Sequence, residues 1–140
     1  MKIRLIFLLT CLLLGISNSP LASELVLVVN KDSAVQTINR TQIINIYMGR
    51  YNQFPVNHKV TPLDNNADKK DFYRKLINKS IPQVNAYWSR LKYSGRAEYK
   101  PDSLEGHKEV IELLGIDKSA IAYVPRDLVS NQFRIIYELD

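Results

Sequence analysis

Cysteine is nearly absent from this sequence: Cys11 is the only one in 140 residues. It lies in "LIFLLTCLLLGI" (5–16), an apolar run preceded by Lys2 and Arg4 and followed by the small and polar "SNSPLAS" (17–23). That order matches a cleavable secretory signal peptide, with an apolar part shorter than the ~20 residues of a membrane helix. We expect cleavage after Ala22 or Ser23, a periplasmic location, and one domain over 24–140. Residues 24–140 contain no thiol, which excludes a disulfide, a cysteine nucleophile and a thiolate metal site there. Glycine is scarce too, with five in all, and no glycine-rich phosphate loop or nucleophile elbow occurs. The two histidines, His58 and His107, show no metal-ligand spacing. Glu109 and Glu112 fall on an amphipathic stretch, where they read as solvated decoration. The sequence therefore predicts a non-enzymatic protein, with no cofactor, no metal and no membrane span after signal cleavage.

Charge is present but uneven. The formal net charge of +5 falls to +3 without Lys2 and Arg4. Between Arg50 and Lys100 there are eleven Lys/Arg against four Asp/Glu, and from Pro101 to Asp140 four against eight. A basic middle attracts anions, acidic partners or a membrane surface, and equally suits a plain solvated surface. An exported chain without an aromatic-basic repeat is not a nucleic-acid binder.

Apolar periodicity predicts the order β-α-β-α-α-α-β-β. "ELVLVVN" (24–30) is a continuous apolar run suited to a buried strand. Asn39 and Gln42 form a capping-box-like start to a helix that Gly49 ends. "KVTPLD" (59–64) is a strand that Pro62 weakens or moves toward an edge. Helices are expected from about Asp68 to Asn78 and from Ser80 to Ser94-Gly95, the second with Gln83 three residues after a Ser80 cap, Pro82 in its first turn and Val84, Tyr87, Trp88 and Leu91 at helical spacing. "RAEYKPD" (96–102) reads as a loop, and "KEVIELLG" (108–115) as a short helix stopped by Gly115. "AIAYVP" and "FRIIYEL" close the chain as strands. Asn39-Arg40-Thr41 and Asn78-Lys79-Ser80 fit the glycosylation acceptor pattern and equally fit caps and turns. Such an order builds one α/β domain on a mixed sheet flanked by helices.

The stretch "LDNNADKKDFYRKL" (63–76) opens a helix just after a strand, where α/β proteins often bind ligands. With Asp68 as N-cap, its carboxylate would accept from the first-turn amides. Lys69 and Lys70 would then be cations at the positive end of a helix, a mismatch relieved by a bound anion or by Asp68 and Asp71 themselves. Both readings stay open on the residues alone.

Several segments together resemble the phosphate-binding (substrate-binding) proteins of ABC transporters. A strand ending in Val-Asn leads through a helix to "IYMGR" (46–50), similar to that family's Ile-Phe-x-Gly-Lys turn. "SAIAYVP" (119–125) resembles its Gly-Ala-Ile-Gly-Tyr-Val strand, and "VNAYWSRLKYSGR" (84–96) is similar to a stretch of short exported relatives. The resemblance covers nearly the whole chain after residue 23. It implies a single lobe of a type 2 periplasmic binding protein and a weakly held phosphate or other oxyanion. In the family an Arg-x-Asp-Gly-Ser-Gly-Thr-like loop supplies ligand contacts. Here Asp64 matches the motif's aspartate, Pro62 replaces its arginine, and Asn65, Asn66, Ala67 and Asp68 replace Gly-Ser-Gly-Thr. The implied ligand-binding residues are Asn65, Asn66, Asp68 and Lys69, with Asn30 and Ser94 as neighbours. The alternative is an interaction scaffold that keeps the lobe without the ligand, using aromatics such as Tyr47, Tyr51, Phe54, Tyr93 and Tyr99 against an envelope protein or transporter.

Overall fold

The computed structural model describes residues 24–54 and 57–140. The signal-peptide reading falls outside them. The elements run β1 (Leu25–Asn30), α1 (Arg40–Tyr47), β2 (Thr61–Asn65), α2 (Lys69–Ile77), α3 (Ile81–Tyr93), β3 (Asp102–Leu104), α4 (His107–Ile116), β4 (Ala120–Pro125) and β5 (Phe133–Glu138), with one 3-10 turn at Arg126–Leu128.

The strands form one sheet in the order β3-β2-β4-β1-β5. β2 is parallel to β3 and β4, whereas β1 is antiparallel to β4 and β5. The unbroken apolar run of β1 follows from its central place. Leu25, Leu27 and Val29 face a core shared with α1, α2 and α3, while Val26 and Val28 face a second core shared with α4. Successive strand residues point to opposite faces, so helices on both faces require apolar residues at every position.

Both capping boxes form as expected. The side chains of Asn39 and Ser80 accept from Gln42 N and Gln83 N, and the two glutamines reach back to the cap amides. Trp88 is buried with Val84 on the inner face of α3.

Three expectations are corrected. Within the supposed loop 96–102 and just beyond it lies β3, pairing in parallel with the end of β2 (Leu63 with Asp102, Asn65 with Leu104). Its three residues are largely exposed, so their apolar pattern carries no strand signal and only the partner's backbone defines it. Pro62 keeps the place near an edge that its residue type predicts: β2 is next to the edge strand β3, whose pairing starts one residue later, at Leu63, so only β4 is alongside Pro62. Helix α4 also continues through Gly115 to Ile116, with Asp117 as its cap. Finally, Tyr47 and Phe54 are core residues rather than interface aromatics.

Gly49 follows α1 with φ +70°, and a Cβ there would stand 2.6 Å from Trp88 Cη2. Gly49→Ala therefore meets both a left-handed backbone penalty and a clash with a buried ring. We expect a loss of about 1–3 kcal/mol in urea unfolding. Unchanged stability would show that the indole yields at no cost.

Candidate functional site

The turn from β2 into α2 is organised around a buried carboxylate. Asp64 is 1% exposed and Asn65 fully buried. Tyr73 donates its hydroxyl to Asp64 Oδ1 at 3.0 Å, and Tyr123 donates to the same oxygen at 3.0 Å. Lys69 Nζ completes the shell 3.3 Å from Oδ2, with its side chain only 15% exposed. Burial pushes the Asp64 carboxyl above its ordinary 3.8, and the Lys69 charge followed by the two hydroxyls pulls it back. The Tyr73 and Tyr123 hydroxyls are raised chiefly by burial and then by the Asp64 charge, so they remain donors.

Aromatic packing holds these donors in place. Phe72 stacks on Tyr123 with ring centroids 3.7 Å apart and 8° between planes, and meets Tyr73 edge-on at 5.1 Å. Tyr47 tilts against Phe72 and donates its hydroxyl toward Leu63 O and Ile121 O. Tyr123 also accepts from the Asn65 amide at 3.0 Å, tying β4 to the end of β2.

The predicted residues Asn65, Asn66, Asp68 and Lys69 share this one turn, but three of their side chains are already engaged: Asn65 with Asp68, Asp68 also with His107, and Lys69 with Asp64. Asn65 Oδ1 accepts from Ala67 N, and its Nδ2 donates to Asp68 Oδ2 at 2.9 Å. His107, at the start of α4, places Nε2 2.6 Å from the same Asp68 oxygen. The capping role expected of Asp68 is thereby corrected. It stands at the N-cap position with φ −118° and ψ −1°, and its carboxylate makes no cap hydrogen bond. Asp71 likewise turns outward to Arg74 and Lys75. Among the described residues, the amides of Lys69, Lys70 and Asp71 donate to no protein acceptor. Asn66 is exposed, and its amide donates to Leu104 O.

The two expected neighbours are elsewhere engaged. Asn30 Nδ2 donates to Leu114 O and Gly115 O, fastening β1 to the end of α4, while its Oδ1 accepts from Asp32 N. Ser94 caps the C-terminal end of α3 through Leu91 O and contacts Arg96. His107, Tyr73 and Tyr123 were not singled out as parts of this site. A tyrosine within an apolar strand, another on the buried face of a helix and a lone histidine 39 residues from its partner leave no spacing signature.

No protein-family description and no curated protein sequence matches this chain. Solved structures do. A phosphate ABC transporter substrate-binding protein with bound phosphate from Clostridium perfringens superposes with a TM-score of 0.63 at 13% identity, covering 81% of this chain and 44% of that one. An ABC-type phosphate transport receptor from Vibrio cholerae gives 0.63 at 14% identity, covering 84% and 49%. PstS from Borrelia burgdorferi gives 0.58 at 13% identity, covering 82% and 47%. This chain thus matches less than half the length of each. Likeness at such identity reports fold rather than ligand. The chain has the fold of one α/β lobe of the phosphate-transporter substrate-binding proteins.

Proposed function

We propose that this chain is an exported, non-enzymatic binding module of the phosphate-binding-protein type, acting in the periplasm and docking a small oxyanion weakly at the first turn of α2. The uncapped amides of Lys69, Lys70 and Asp71 carry this reading, because Asp68 has turned to Asn65 and His107 instead. Three converging donors at a positive helix end favour an anion. In this reading Asn66 and Lys70, both exposed, supply orientation and charge from the rim. Asn65, Asp68 and Lys69 shape the turn from beneath. Two nearby carboxylates, Asp64 and Asp68, oppose a dianion and keep affinity low.

Isothermal titration with phosphate and with sulfate tests the site. A Kd near ~1 mM, about −4.1 kcal/mol, is the expected scale, and Lys70→Glu should abolish the heat. Absence of heat at ten times that concentration removes the ligand from this proposal.

The scaffold alternative draws on a second observation. The exposed Tyr51 and Tyr99 line a groove of about 170 Å³ with Asn52, Lys59, Pro62 and Asp102 beside the β2–β3 pair. Tyrosines at a groove rim suit a protein partner, here an envelope protein or a transporter component. Crosslinking in the periplasm through a photoreactive residue at position 51 would trap such a partner.

A further inference from the structure

The outer face of α3 separates two grooves whose linings contain cations and no carboxylate. One, about 280 Å³, is lined by Lys79, Gln83, Tyr87 and Arg90 together with apolar side chains. The other, about 290 Å³, is lined by Asn85, Ser89, Lys92 and Lys100 with Trp88 and Ala97. On the helix wheel Arg90 and Lys92 fall on opposite shoulders, and Tyr93 lies on the crest between them, 93% exposed. From Lys79 to Lys100 there are five Lys/Arg and a single acid, Glu98. Among the described residues none of these five cations joins a salt bridge, in contrast to Arg74, Lys75 and Arg126.

We propose that this α3 face is a docking surface for an anionic lipid bilayer. The argument is charge complementarity combined with shape. Each groove is sized for a phosphate headgroup and offers it two cations, while the tyrosine crest presents the amphipathic ring that settles at a membrane interface. A basic face with no carboxylate in its grooves gains attraction to anionic headgroups without first breaking an ion pair of its own. Four groove cations at an anionic surface contribute roughly fivefold each in affinity, and salt screens that attraction. The surface is independent of the α2 site, so failure of anion binding at Lys70 leaves it standing.

The test is cosedimentation of the full chain with vesicles of phosphatidylcholine containing roughly one phosphatidylglycerol in three lipids, enough to give an anionic surface potential. Neutral phosphatidylcholine vesicles report whatever the apolar run 5–16 contributes. Binding to the anionic vesicles should exceed binding to neutral ones at least tenfold and vanish at high salt. Arg90→Gln with Lys92→Gln should lower it roughly twentyfold, and Tyr93→Ala severalfold, while Lys108→Gln on α4 leaves it unchanged. Equal binding to both vesicles would overturn the proposal. So would indifference to the α3 changes, competition by millimolar inorganic phosphate alone, or salt-sensitive self-association in place of vesicle binding.

Discussion

Replacing Asp64 by alanine is expected to remove about 3–5 kcal/mol of folding stability, the range for breaking a buried ion pair from one side. The change deletes the acceptor of two buried tyrosine hydroxyls and strands the Lys69 ammonium, all packed beneath the β2–α2 turn. Lys69 can swing its flexible stem toward solvent, which places the expected value in the lower half of that range. Asp64→Asn keeps one acceptor oxygen and should cost less. Urea unfolding followed by circular dichroism measures both, and an alanine effect under about 1 kcal/mol would show that the network is not a stability element. The pH dependence has a definite sign. The folded-state carboxyl is raised above 3.8, so the native state holds this proton more tightly than the unfolded chain. The group's contribution to stability is fully present below 3.8 and is lost as pH rises through the raised folded-state value. The stability of wild type relative to Asp64→Asn should therefore decline across that window and then level off.

Phe72→Ala should be comparably severe, at about 3–5 kcal/mol. Phe72 is fully buried and, among the described residues, is the one ring in contact with Tyr47, Tyr73 and Tyr123 together. Removing it leaves a cavity between α2 and β4 and frees the rings that aim hydroxyls at Asp64. Near-UV circular dichroism should weaken along with stability, because the tyrosines lose their fixed surroundings. Phe72→Leu, which refills part of the volume, should recover a substantial share. A loss below about 1.5 kcal/mol for the alanine variant would mean that the core collapses around the gap.

The fold was readable where a segment's own residues carry the signal. Continuous apolar residues marked β1, a capping box marked α1, and a cap followed by helically spaced apolar residues marked α3, since cap and buried face are local properties. β3 was unreadable, because two exposed residues and one half-buried leucine become a strand only through the backbone of β2. Gly115 misled for a related reason. Glycine permits a helix end without compelling one, and packing of Val110 and Leu114 against the sheet carries α4 one residue further.

The candidate site divides in the same way. Residues 63–70 themselves marked a strand-to-helix turn with aspartate, asparagine and lysine at its mouth, a matter of chain order and residue type. Which of those groups face outward depended on partners distant in sequence. His107 from α4 and Asn65 draw the Asp68 carboxylate off the helix end, and Tyr123 from β4 with Tyr73 commits Asp64 and Lys69 to the interior. A carboxylate takes whichever donors the folded chain brings within about 3 Å. Sequence names the carboxylates and the donors; packing of β4 and α4 against the turn chooses the pairs.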